Sequence, residues 1–315
     1  MTRLLFTGGG GASSGALHRL LRDRYDVHFA DADPDARPHG VPADAWHVIP
    51  PASSQGFVGA LQRLCAEVGV DVLVPGVDEE LPLVAQARVG FSCDILLPSA
   101  AFVTTHLDKL ASNRALAARG IPVPVTETLA QRANVRFPCV VKPRRGRGSR
   151  HVAVVGSDDE LRAHVVSCRR PATDFIVQER LQGQEYTVTI VADRRGVLRA
   201  VVPVRVELKR GITLRAETDR DAVVTAACAS IHAASPIAGC FNIQLVKTGA
   251  GEAKPFEINP RVSTTTCLAI AAGVDVVDRY LDDGRAVVEG QSGLAPFEDR
   301  LRLKRSWHNE FLRAR

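Results

Sequence analysis

Along the first hundred residues, short apolar runs alternate with segments whose apolar positions recur every three or four residues. RLLFTG from Arg3, DVHFAD from Asp26, VDVLVPG from Val70 and DILLPS from Asp94 read as strands. ALHRLLRDRY, FVGALQRLCAEVG and ELPLVAQARVG read as helices between them, and Pro82 falls in the first turn of the last, where a missing N–H is tolerated. Strands alternating with helices predict a parallel, doubly wound sheet over residues 1–98. The pattern changes near Pro98–Thr104. LDKLASNRALAARG predicts a helix stopped by Gly120 and two prolines, FPCVVKP a strand, and Ser157–Cys168 a further helix. Alternating runs then dominate: DFIVQERLQGQEYTVTIVAD as two strands, VLRAVVPVRVELKRGITLRAE as a hairpin, and FNIQLVKTGAGEAKPFEIN as another. From Val276 the chain reads as a helix, a linker and a charged segment that says nothing about chemistry.

The last hairpin carries the chemistry. With its turn at Ala250 and Gly251, Gln244 stands opposite Glu257 and Asn242 opposite Asn259, and the two-residue period of a strand puts all four on one face. Phe241, Ile243, Leu245, Phe256 and Ile258 are expected on the other, buried face. Directly opposed residues have Cβ atoms about 4.5–5.5 Å apart, so oxygens of Gln244, Glu257 and Asn259 can converge on a hard cation. Mg²⁺ suits them, with oxygen ligands at about 2.0–2.1 Å and its other positions open to water and phosphate; Mn²⁺ is an alternative. Arg261 follows on the same face if the strand continues past Pro260. The competing reading is a hairpin whose polar face simply meets water.

Gln244 followed by Glu257-x-Asn259-Pro260-Arg261-Val262-Ser263 resembles the metal-binding signature of the ATP-grasp superfamily. The glutamine as first ligand and the Arg-Val-Ser ending are most similar to its carbamoyl-phosphate-synthase-like branch. The resemblance is good over residues 100–290 and weaker before. It implies a Rossmann-like parallel sheet in residues 1–98, then a two-subdomain ATP-grasp fold over 99–290 with a nucleotide lid at 112–182, and a tail over 291–315. It also implies ATP and Mg²⁺ as cofactors, with Glu257 and Asn259 as metal ligands and Arg261 facing the transferring phosphoryl group. Asp108-Lys109 ahead of Gly-Ile-Pro-Val-Pro is similar to the start of that domain, where the lysine reaches a nucleotide phosphate; alone, Lys109 would read as a solvated helix charge.

Lys142 ends an apolar β-forming run, and a lysine there is costly unless it meets an anion. The glycine-spaced Arg144–Ser149 follows, and glycines let backbone amides close over phosphates. No helix follows and the lysine precedes the glycines, so this is no P-loop. It resembles the ATP-grasp strand lysine and phosphate-covering loop, with Arg147, Gly148 and Ser149 on the nucleotide; the other reading is a basic hairpin tip. By resemblance, Glu179 and the backbone of Arg180 and Leu181 meet adenine, and Glu185 meets the ribose, with cross-strand charge pairing equally open for Glu185. Arg205, Lys209 and Arg210 are candidates for binding substrate, as is Ser263 at the start of a helix that favours an anion. No general base stands out.

Composition narrows the classes. A chain of 315 residues with 45% hydrophobic content is long enough for two or three packed units. No window approaches a membrane span. Seven scattered cysteines without a Cys-x-x-Cys suggest reduced thiols in a cytoplasmic protein, and nine histidines without ligand spacing argue against zinc. The net charge of +5 comes in basic clusters separated by acidic stretches, and only 5% of residues are aromatic, so nucleic acid is not the expected partner.

Two motifs near the start are decoys. Gly8–Gly15 with Asp31 downstream suggests a dinucleotide loop, but positions 12–14 are Ala-Ser-Ser and no Gly-x-Gly-x-x-Gly register fits. Gly11–Gly15 also matches a nucleophile elbow, without an evident histidine partner. A tight turn at the carboxyl edge of the sheet, lining a substrate cleft, fits better. The expected activity is an ATP-dependent carboxylate–amine ligase working through an acyl phosphate on a small carboxylic acid and an amine, amino acids among them. Phosphorylation of bicarbonate or carbamate, and a nucleotide-binding regulator without turnover, are the alternatives; a homodimer is left open.

Overall fold

The computed structural model describes residues 1–282 and 293–306. The expected domain end at residue 290 and the last residues of the tail, from 307 on, lie outside the described residues. In chain order, β1 (Arg3–Thr7), α1 (Ser14–Leu21), β2 (Asp26–Asp31), β3 (Trp46–Val48), α2 (Phe57–Val68), β4 (Val72–Val74), α3 (Leu81–Gln86) and β5 (Asp94–Ile95) build the first unit. Its five strands run parallel in the order β3-β2-β1-β4-β5. A parallel sheet must be covered on both faces. Along β1, Leu4 and Phe6 therefore join a core with Leu17 and Leu21 of α1, while Leu5 points to Phe57, Leu61 and Cys65 of α2. The edge strand β3 has only three residues, too few to register as a pattern.

Helices α4 (Ala100–Leu107) and α5 (Lys109–Ala117) lead to a four-stranded antiparallel lid. It contains β6 (Thr126–Thr128), β7 (Cys139–Pro143), β8 (Ala153–Val155) and β9 (Phe175–Glu179), ordered β6-β9-β7-β8. Leu161 and Val165 of α6 (Asp158–Ser167) pack on its Val141, Val155, Phe175 and Val177.

The largest sheet comprises β10 (Gly183–Ala192), β11 (Leu198–Arg210), β12 (Ile212–Thr218), β13 (Gly239–Thr248), β14 (Ala253–Asn259) and β15 (Arg302–Lys304), ordered β14-β13-β10-β11-β12-β15 and antiparallel throughout. The strand β15 comes from residues that the sequence assigns to the tail. One face of this sheet packs on α7 (Ala222–Ala234) through Val188, Ile190, Ile243, Val224 and Cys228. On the other face, Val191, Ala200, Val202 and Cys240 pack on α8 (Thr266–Ala271) and α9 (Val276–Leu281). That second core also contains Phe6 and Phe29 of the parallel sheet, so the first unit and the large sheet share apolar interior across the boundary near residue 98. Further along the same face, β10 and β13 turn polar at Glu185, Thr187, Asn242 and Gln244, and there the sheet floors a cleft.

Register irregularities on β14 and β11 decide which side chains reach that floor. Gln244 pairs with Glu257 but Leu245 pairs with Pro255, which leaves Phe256 as an extra residue on β14. Phe256 was expected in the core; the bulge turns it into the cleft instead. On β11 the register slips after Val206 and again after Leu208, which brings Lys209 to the cleft face.

Gly183 opens β10 with φ at 146°, and a Cβ there would lie 2.1 Å from the Lys247 carbonyl oxygen. Gly183→Ala is expected to lower stability by about 2 kcal/mol or more, because neither backbone can yield within the sheet. Chemical denaturation with the slope unchanged measures it.

Candidate nucleotide and metal site

The hairpin β13–β14 pairs Gln244 with Glu257 and Asn242 with Asn259, as the alternation predicts. All four border one cleft of about 1180 Å³, floored by the large sheet and walled by the lid and the loops of the parallel sheet. Asn259 donates its Nδ2 to Asn242 Oδ1 at 3.2 Å, and its side-chain oxygen has no donor among the described residues. Ammonium groups already sit on the other two oxygen donors: Lys109 Nζ lies 3.6 Å from Glu257 Oε1, and Lys209 Nζ lies 3.2 Å from Gln244 Oε1. A donor set of one carboxylate and two amide oxygens fits a hard cation that takes most of its remaining coordination from phosphate. Among the described residues no cluster of three His, Cys, Asp or Glu forms an alternative metal site.

Lys142 enters from β7 of the lid. It is 4% exposed, with Nζ 3.3 Å from the Phe256 carbonyl and 5.4 Å from the centre of the Phe256 ring. Burial pulls its ammonium down to about 8, with Glu257 opposing and Lys109 and Lys209 adding to the shift. Lys209 is held by Glu185 at 2.6 Å, so Glu185 does make the cross-strand charge pair weighed above, while still lining the cleft.

Lys109 starts α5 just after Asp108, which caps the helix by accepting from the amides of Leu110 and Ala111. Burial opposes the charge of Asp108, yet hydrogen bonds from Arg144, Ala111 and Leu110 hold its carboxyl below the usual range. The same Arg144 contact, at 2.6 Å, ties the start of the glycine loop to α5, and Lys109 Nζ donates to Gly146 O at 2.8 Å. Gly148 and Ser149 both take positive φ in this loop and border the cleft.

Glu179 accepts from the Val125 amide at 3.1 Å, and with Arg180 and Leu181 it lines the cleft where the lid joins the large sheet. Ser263 is buried beside Thr265 and Thr266 at the start of α8 and also lines the cleft. Arg205 and Arg210 do not. Arg205 lies ahead of the bulges on β11, on the opposite face, paired with Glu217; Arg210 is exposed at the strand end.

The loop after β4 contributes residues to which the sequence pattern assigns no role. Glu80 is 3% exposed and accepts from the Thr7 hydroxyl and from the amides of Gly76 and Val77; burial pushes its carboxyl up. It pins the loop so that Asp78 meets Arg261 Nε at 2.5 Å and Glu79 meets Arg147 Nε at 3.2 Å. Arg261 thus reaches the cleft already paired. Its partner is 183 positions away in the chain, a distance at which sequence spacing carries no signal. The Gly8–Ser14 loop lines the cleft, as the turn reading predicts.

A family model described as ATP-grasp in the biosynthetic pathway with Ter operon matches residues 171–304. The biotin carboxylase–beta-gamma-ATP complex from Campylobacter jejuni superposes with a TM-score of 0.69 at 16% identity, covering 88% of this chain and 69% of that one. The chain has the fold of ATP-grasp proteins, and its residues 171–304 are similar in sequence to that family. Curated relatives include the carbamoyl phosphate synthase large chain of Halobacterium salinarum, 28% identical over 82% of this chain and 27% of the relative. The D-alanine–D-alanine ligase of Alcanivorax borkumensis is 26% identical over 44% of this chain and 42% of the relative. The chain therefore matches less than half the length of either.

Lys142 generates two expectations. Lys142→Met is expected to raise the melting temperature at pH 7 without nucleotide, since a depressed lysine pKa opposes folding wherever the unfolded chain holds the proton more tightly. Stability of the native chain should likewise climb as pH rises from about 8 towards the unfolded value. ATP affinity should move the other way, falling as pH passes about 8 in the native chain and flat in Lys142→Met. Melting curves and nucleotide titrations across pH 6–10 check both.

Proposed function

We propose that this chain is an ATP-dependent ligase that phosphorylates a carboxylate and passes the acyl group to an amine. The observation that carries the reading is the convergence of three lysines and the Gln244–Glu257 pair in one cleft between lid and sheet. Relatives that are ligases or synthases support it.

The triphosphate lies along Lys109, Lys142 and Lys209, which neutralise its charge, and the loop Arg144–Ser149 covers it. Adenine would take the end of the cleft where the lid joins the large sheet, lined by Val140 and Leu181, with Glu179 and the backbone of Arg180 and Leu181 at its edge. Gln244, Glu257 and Asn259 would hold Mg²⁺, which would supply charge stabilisation on the phosphate oxygens when bound. The substrate carboxylate attacks the γ-phosphorus as the bond to the β,γ-bridging oxygen breaks and ADP leaves, and Arg261, held in place by Asp78, faces the charge that spreads over the equatorial oxygens. The amine then attacks the acyl phosphate and releases inorganic phosphate. Closure of the glycine loop keeps water from that intermediate.

Phosphorylation of bicarbonate or carbamate is the second reading, favoured by the similarity to a carbamoyl phosphate synthase over 82% of this chain. ADP release with bicarbonate alone selects it; ADP release that needs a carboxylate and an amine together selects the ligase.

Glu257→Gln removes the only carboxylate of the metal set and is expected to cut ADP release roughly hundredfold or more with the fold intact; a variant as active as the native chain would sink the assignment. Asp78→Asn is expected to lower kcat several-fold, roughly 1 kcal/mol of barrier, while leaving ATP affinity unchanged, because it frees Arg261 without touching the lysines. Steady-state kinetics beside equilibrium ATP titration separates the two quantities.

A further inference from the structure

Across the lid, Val140 of β7, Gln178 of β9 and Thr126 of β6 are paired side by side, so their side chains share one face of the sheet. Phe175 and Val177 alternate with Gln178 on β9 and pack on the other face with Leu161 and Val165 of α6. Val140 and Gln178 line the cleft, next to Glu179, Arg180 and Leu181 where the lid joins the large sheet. Gln178 is 3% exposed and ends an apolar run, Phe175–Val177, so its amide is a polar group set into the wall of the cleft.

The hydrogen bonds around this amide have a fixed direction. The Pro124 carbonyl can only accept, and it takes the hydroxyl proton of Thr126 and an N–H of Asn113, each at 2.9 Å. With its one proton committed there, Thr126 Oγ1 can only accept from Gln178, so the amide atom 2.7 Å away is Nε2. Turning the amide over would set two acceptors against each other in a place where Thr126 is 6% exposed. Oε1 is therefore the end of the amide left for the cleft, and it meets no donor among the described residues. The neighbouring carboxylate, Glu179, is engaged with the Val125 amide at 3.1 Å. A buried acceptor held open in this way matches a ligand that donates.

We infer that Gln178 selects the base of the nucleotide, its Oε1 accepting from an amino group at position 6 of a purine and repelling the carbonyl oxygen that guanine and hypoxanthine carry there. The second N–H of the same amide suits N7 beside it, the two-point match of a glutamine to the adenine edge. Thr126 is the positioning residue: it fixes which end of the amide the base meets. The inference rests on the reading of this end of the cleft as the adenine site, and adds to it the side chain that decides between bases.

Equilibrium titration of the full chain with ADP and with IDP, each with Mg²⁺, reads the ratio of the two affinities, since these nucleotides carry an amino group and a carbonyl at position 6. The native chain is expected to favour ADP at least about tenfold. Gln178→Leu is expected to bring the ratio to within about threefold of unity, by weakening ADP more than IDP. Thr126→Val leaves the amide able to turn its nitrogen to the cleft, and is expected to tighten IDP and narrow the ratio. A purely structural role in the lid would move both affinities together and leave the ratio as it is. Equal affinities in the native chain, or the native ratio in folded Gln178→Leu and Thr126→Val, overturn the inference and leave the nucleotide reading standing. A native chain that binds neither nucleotide overturns both.

Discussion

The ammonium of Lys142 lies in the cleft wall with almost no water around it, and its nearest acceptor is the backbone carbonyl of Phe256. A charge placed there is destabilising unless an anion joins it, which is why its pKa falls to about 8 and why two more lysines beside it deepen the shift. Glu257 and Glu185 offset only part of this. The cleft is therefore strained electrostatically in a direction that a polyphosphate relieves, and the lid that carries Lys142 and the sheet that carries Glu257 have a common reason to close on one. Lys109 and Lys209, resting on Glu257 and Gln244, keep those oxygens turned towards the cleft.

The parallel sheet meets this constraint with acid. The buried Glu80 gathers Thr7 and two amides around its carboxyl and so fixes a loop whose next two carboxylates, Asp78 and Glu79, pair with Arg261 of the β14 end and Arg147 of the glycine loop. One short loop thereby touches both the rigid floor and the cover of the site. The continuous core through α8 and α9 makes that touch dependable: Tyr25 and Arg24 of the first unit both bond Asp275, at 2.9 and 2.7 Å, so the loop cannot drift from the large sheet without opening apolar interior.

Irregularities in the sheet, and not its regular pairing, select which residues face the cleft. The bulge on β14 brings Phe256 out of the core to lie under Lys142 and Lys209, and the slip on β11 gives the cleft Lys209 while Arg205 stays behind the sheet with Glu217. Three basic residues that look alike in sequence are sorted in this way by a register shift of single residues, since side chains alternate faces with a period of two.

Local pattern was enough for the alternation of strands and helices, the parallel first sheet, and the opposition of Gln244 to Glu257, because each depends on neighbours a few residues apart or on a turn of known length. Lys142 was legible too, as a charge at the end of an apolar strand. The facing of Phe256 was misread because a bulge obeys packing that no period encodes. The pairing of Arg261 with Asp78, the tie of Arg144 to Asp108, and the clamp of Arg305 on Ala12 and Thr264 arose only when distant segments met. Sequence determines what each segment buries and which groups it exposes; the partners of those exposed groups are chosen by tertiary contact, since electrostatic pairing follows distance in space and is blind to distance along the chain.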